Sequence, residues 1–218
     1  LSDAFEPDLL EPTHADEVIG DPTPGPGVSD PNNAANGIGG TLDVFSLGYD
    51  ETNSSITLSW SDACALNGPG VDLVVFENGF VIGGGPGHFM DLVVVELSLD
   101  GERWVALPHD YVFTPETLYS NVPDSWVGFA GVWPVLYRSA VGGDPFDFPT
   151  AGGDAFDLDI LPTEGLAGEI RENGFCFVRL VTAPSRVNPD TGEPFVRDGI
   201  SNGADIDGVI ARYLVASP

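Results

Sequence analysis

The chain has no lysine. Its seven basic residues are all arginine, set against 34 acidic ones, for a formal net charge of −27. A surface so deficient in positive charge repels the phosphate backbone of nucleic acid and anionic membranes, so neither is expected as a partner. Histidine is scarce too: three scattered residues and two cysteines form no recognisable zinc-ligand spacing. No Gly-x-Ser-x-Gly elbow for a serine hydrolase occurs, and the glycine loop Val81–His88 is followed by no Gly-Lys-Ser/Thr and no helical pattern, so it is not a phosphate loop. No apolar run is long enough to span a bilayer, and no basic, apolar leader is present; an exported protein would be seen here in mature form.

What is present is apolar and β-branched. Hydrophobic residues make up 42% of the chain, enough for a core, and 28 glycines and 19 prolines fit many strands joined by tight turns. The organising stretch is Gly70-Val-Asp-Leu-Val-Val-Phe-Glu-Asn-Gly-Phe80. Leu73 to Phe76 is unbroken apolar, which predicts a strand covered on both faces. Its companion runs from Met90 to Trp104, with Val93, Val95, Leu97 and Leu99 on one face, a tight turn at Asp100-Gly101, and Trp104-Val105 starting the return. Thr41–Leu47 and Ser55–Trp60 read as a hairpin, Ser61–Gly70 as a loop carrying Cys64, and Phe175–Val181 and Ala204–Leu214 as strands. Leu161–Glu172 holds the only credible helix. Strands throughout and almost no helix predict an all-β, antiparallel β-sandwich of jelly-roll type with long irregular loops, in residues 41–218. Residues 1–40, rich in Pro, Asp, Asn and Gly, read as an extended arm. That arm either packs on its own domain or projects to add a strand to another copy of the chain.

Carboxylates gather where strands end. Glu77 and Asn78 close the first buried strand, Asp205 and Asp207 open the last, and Asp154, Asp157 and Asp159 lie between. Such groups are either cation ligands or turn formers. If the strand ends meet in space, carboxylate repulsion in a low dielectric favours a bound cation, and oxygen-only donors favour calcium. The seven residues are therefore the candidate calcium ligands. A glycosidase pair is conceivable among Glu77, Asp157 and Asp207, but any acidic chain offers as much, so no enzymatic activity is expected. The loop from Pro115 to Thr150 is aromatic; Trp126, Trp133 and Tyr137 either stack on sugar rings or anchor the loop to its own domain. Cys64 and Cys176 are an even pair. A bridge between them is plausible in an exported protein and worth about 4 kcal/mol by loop-closure entropy; a buried free thiol is the alternative. His88 reads as a surface residue.

Val94-Val-Glu-Leu-Ser-Leu-Asp-Gly-Glu-Arg-Trp104 resembles the strand–turn–strand of discoidin-like (galactose-binding-like) jelly rolls, with Leu99 where that pattern usually has a small polar residue. Four segments, in matching order between about residues 17 and 214, resemble a group of bacterial exported or cell-surface proteins. They are Val44–Gly48, Asp72–Phe80, Gly128–Gly131 with Ala151–Leu158, and Asp205–Val209. The resemblance implies a secreted β-sandwich and suggests calcium; it implies no activity. The expected function is a secreted or cell-surface, calcium-binding module with a structural, adhesive or assembly role, its partners being further copies of itself or surface glycans. A carbohydrate-binding module using residues 115–148 is the alternative.

Overall fold

Leu73–Glu77 forms a strand in which all five residues are buried. The computed structural model describes residues 8–39, 43–83 and 86–217. Here the strand lies inside a five-stranded sheet, with Asp205–Ala211 on one side and Asp154–Phe156 on the other, both antiparallel. Thr13–His14 and Phe45–Ser46 each pair with Asp205–Ala211 and complete the sheet. Successive side chains along a strand point to opposite faces. Leu73 and Val75 enter the main core, while Val74 and Phe76 pack with Ile38 and Ile210 beneath Tyr137 and Phe146. Both faces are covered, which is why no polar residue interrupts the run.

The second five-stranded sheet is ordered Val105–Ala106, Val93–Ser98, Phe177–Thr182, Ser55–Ser59, Glu17–Val18, and every pairing is antiparallel. Its Ile56, Leu58, Val95, Leu97, Val178 and Leu180 share the main core with Leu73, Val75 and Val209 of the first sheet. The chain is thus mostly β, with two antiparallel sheets burying one apolar interior. Each fully buried Val or Leu there contributes ~2 kcal/mol to stability. The segment 8–39 lies along this body. Its strand Thr13–His14 edges one sheet, Glu17–Val18 edges the other, and Ala15 and Ala34 reach the core.

Several local expectations need correction. Phe45–Ser46 and Ser55–Ser59 do not form a hairpin: they lie in different sheets, because Phe45 pairs with Ile206 and Ile56 with Leu180. Thr41 and Leu42 lie outside the described residues. The turn after Val93–Ser98 is wider than Asp100-Gly101 alone. The Asp100 carboxylate accepts the Glu102 and Arg103 amides, so pairing resumes only at Val105 and Trp104 stays in the turn. The helix spans Gly165–Asn173, and a single further turn forms at Phe148–Ala151. Cys64 sits in a short strand, Ala63–Ala65, paired with Leu214–Ala216. Ala65 also bridges to Phe175, which brings Cys64 against Cys176, and the two form a disulfide.

Candidate functional site: a buried carboxylate with one oxygen unsatisfied

Glu77 occupies the last position of its strand and faces inward on the same side as Leu73 and Val75. It is 1% exposed. Its Oε1 accepts the Asp205 amide at 3.0 Å, a contact set by the pairing of Glu77 with Ile206 just before a register shift at Gly208. Its Oε2 has no hydrogen-bond partner. Among the described residues it is the only buried side-chain nitrogen or oxygen in that state. An unsatisfied buried polar atom costs ~1–3 kcal/mol, more if charged, so it calls for a physical account.

The space beside Oε2 is kept clear by two glycines. A Cβ on Gly79 would lie 3.4 Å from Oε2, 3.3 Å from the Phe89 carbonyl oxygen and 3.6 Å from that of Gly131. A Cβ on Gly131 would also lie 3.4 Å from Oε2 and would strike the Asp91 carbonyl oxygen at 2.3 Å; Gly131 itself takes φ +82°. A bridge between Val93 and Ala130 lays this turn along the start of the Val93–Ser98 strand and sets Gly131 against Asp91. The backbones of Gly79 and Gly131 thus form a cradle against Oε2, and the carbonyl oxygens of Phe89, Asp91 and Gly131 lie close to those two glycines.

Negative charge surrounds the cradle. Burial pushes the Glu77 carboxyl well above the usual range, and the charges of Asp91, Asp205 and Asp154 add to the shift. Asp91 is pushed up to about 6, by burial first and then by Asp205 and Asp198, against the opposing bond from Ser201. Ser201 Oγ donates to Asp91, and Tyr49 OH lies 2.6 Å from Ser201 Oγ, with the Arg197 guanidinium 4.7 Å above the Tyr49 ring. Asp205 accepts a bond from Ser46 Oγ, which in turn accepts the Val28 amide.

The seven expected ligands separate into two sets. Glu77, Asp205 and Asp154 belong to one neighbourhood. Asp154 Oδ2 accepts the amides of Gly131 at 2.8 Å, Val132 at 3.1 Å and Trp133 at 3.5 Å, and so holds the turn that forms one side of the cradle. Asn78 is exposed, and its amide donates to the Asp205 carbonyl. The others serve local structure elsewhere. Asp157 caps the turn Leu158–Ile160 through the Asp159 amide, Asp159 pairs with Arg171 at 2.8 Å, and Asp207 accepts the Gly39 amide with both oxygens. Among the described residues no group of three or more His, Cys, Asp or Glu side chains converges as a ready-made metal centre. Asp91, Ser201 and Tyr49 were not singled out in the sequence. Asp91 stands in the Met90–Trp104 run, but no periodicity ties it to Glu77. By contrast, the four segments Val44–Gly48, Asp72–Phe80, Gly128–Gly131 with Ala151–Leu158, and Asp205–Val209 each send a residue here: Ser46, Glu77, Gly131 with Asp154, and Asp205.

The aromatic loop is mostly turned inward. Trp126 is buried, stacks on Tyr111 with ring centroids 3.9 Å apart, and donates Nε1–H to the Ser120 carbonyl. Tyr137 stacks on Phe76. Trp133 is half-buried, edge-on to His88 and Phe148. His88 is buried, not on the surface as expected, because its Nδ1 lies 2.7 Å from the Val132 carbonyl oxygen and its ring packs on Trp133. Among the described residues no helix is long and apolar enough to cross a membrane. Neither known protein-family models nor characterised proteins match the chain.

Proposed function

We propose that the protein is an exported, calcium-stabilised β-sandwich of jelly-roll type, a structural, adhesive or assembly module in which a bound cation locks the meeting point of distant strand ends. The observation that carries this reading is Glu77 Oε2: a fully buried carboxylate oxygen with no partner, facing a cradle that two glycines keep open. Calcium accepts six to eight oxygen donors in irregular geometry, including carbonyls and water, so it does not require three converged carboxylates. Glu77 and Asp91 would hold it, with Asp205 beside them and backbone carbonyls completing the set. A bound ion would supply positive charge to carboxylates whose nearest cationic side chain here, Arg197, lies over the Tyr49 ring. The disulfide Cys64–Cys176 favours an oxidising compartment, hence export. The convergence on one cluster of the four segments that resemble exported bacterial proteins supports the same assignment.

The proposed role is structural and non-catalytic, a reading supported at this site by the burial of Glu77. The carbohydrate alternative is weaker because the stacking faces of Trp126 and Tyr137 are taken by Tyr111 and Phe76. Calorimetric titration of chelator-stripped protein with Ca²⁺ tests the proposal. One saturable site is expected, lost in both Glu77→Gln and Asp91→Asn. No heat of binding at millimolar Ca²⁺, or binding that survives both substitutions, overturns it.

A further inference from the structure

A second feature that the calcium reading does not use is lined in part by Val132 and Trp133. A groove of about 630 Å³ opens to solvent between the aromatic loop and the strand Asp154–Phe156. Its walls are apolar and aromatic: Trp126, Val132, Trp133, Phe148, Phe156 and Ile160. Its charged side chains are Asp124, Asp154 and Asp157, its other polar groups are the indole N–H of Trp126 and Trp133, and no basic residue lines it.

Asp154 is the informative member. It is 6% exposed, yet all three of its hydrogen bonds fall on Oδ2. Oδ1 accepts nothing. It is not among the fully buried unsatisfied atoms either, so it retains contact with solvent space, and the groove is the space that Asp154 lines. Three backbone amides fix the carboxylate in place, so its free oxygen is pre-organised rather than mobile.

We propose that this groove is a binding site for a small organic cation, an ammonium group carried on an apolar body of about one ring. Every charged side chain there is a carboxylate, and the Trp126 indole N–H is already given to the Ser120 carbonyl, so the ligand that best satisfies the groove brings donors of its own. Three carboxylates without a counter-charge select a positive ligand over a neutral one and exclude an anion. The rings of Trp133 and Phe148, which meet edge to face and line the groove with Asp154, suit the same ligand, because aromatic rings attract cations and shelter hydrocarbon. The volume lies within the range of small-molecule sites, ~300–1,000 Å³. The chain's net charge of −27 draws cations toward the surface.

The test is calorimetric titration of the intact, disulfide-bonded protein with benzylammonium, benzyl alcohol, benzoate and glucose. Tryptophan fluorescence is followed in parallel. Benzylammonium is expected to bind with millimolar or better affinity, at least tenfold tighter than benzyl alcohol, and benzoate not at all. Asp154→Asn is expected to weaken benzylammonium at least tenfold. Ile160→Arg, an exposed change at the rim that puts a fixed cation beside the site, is expected to weaken it similarly while the fold is retained by circular dichroism. That variant decides the matter if Asp154→Asn does not fold. Benzyl alcohol or glucose binding as tightly as benzylammonium, the absence of benzylammonium binding, or full affinity in folded Ile160→Arg overturns the proposal.

Discussion

Replacing Glu77 with glutamine separates a cation ligand from a buried acid by the sign of its effect. In chelator, the amide is the better resident of the cradle. Its Nε2 can donate to an acceptor that the adjacent backbone offers, which a carboxylate oxygen cannot, and such a bond is worth ~1 kcal/mol net. Glutamine also removes a group whose ionisation burial strongly opposes. Glu77→Gln is therefore expected to be more stable than the parent by ~1–2 kcal/mol in chelator. In calcium at one hundred times the dissociation constant, the parent gains ~2.7 kcal/mol by mass action. The variant, having lost the anionic donor, gains little. The order of stability thus reverses between the two conditions. In a chain of this size each kcal/mol moves the melting temperature by ~2–4 °C, so the parent should melt ~5–10 °C higher with calcium than without. Thermal unfolding of both proteins, each in chelator and in calcium and with the disulfide intact, measures all four values. A variant less stable than the parent by the same margin in both conditions would mean that Glu77 is simply a protonated core residue, and the cation reading would fall.

Two further outcomes rest on other groups. Asp91, Asp154 and Asp207 are raised to about 6, 7 and 6, chiefly by burial, from ordinary unfolded values of ~3.9. Between about pH 4 and 7 the folded chain then binds more protons than the unfolded one, so in chelator stability is highest near the bottom of that window and falls as pH rises through it, by ~2–4 kcal/mol for each of these groups. Urea unfolding at pH 4.5 and 8, in ~1 M salt to screen the surface charge, checks the sign; a curve that rises with pH contradicts it. Separately, Glu96 is buried and joined to Arg179 at 2.5 Å and Arg186 at 2.7 Å. Although burial opposes it, the bonds from Arg186 and Arg179 hold its carboxyl below the usual range. Glu96→Gln leaves two guanidiniums without their shared counter-charge and is expected to cost ~3–5 kcal/mol by denaturant unfolding at pH 7; a loss under 1 kcal/mol would show the pairs to be solvated.

Part of this protein follows from local chemistry alone. An unbroken run such as Leu73–Phe76 must be covered on both faces, because each face carries apolar side chains. The absence of lysine ensures that carboxylates gathered together find few positive neighbours. The place of Glu77 at the end of that buried run could be read as well. Which strands lie beside which was not legible. Alternation states which side of a strand is buried but not which neighbour it pairs with, and antiparallel pairing joins residues far apart at equal backbone cost. So Phe45–Ser46 left the expected hairpin for Asp205–Ala211, and Asp157, Asp159 and Asp207 found nearby amides and an arginine. Asp91, which no spacing linked to Glu77, came to stand beside it. Tertiary structure also decided which carboxylate kept a fully buried oxygen unsatisfied, because long-range packing sets both the donors and the solvent space that each oxygen meets. Asp154 received three amides on one oxygen and kept the other in contact with solvent space, Asp207 received one amide shared between both its oxygens, and Glu77 received one amide on one oxygen, with the other sealed against two glycines.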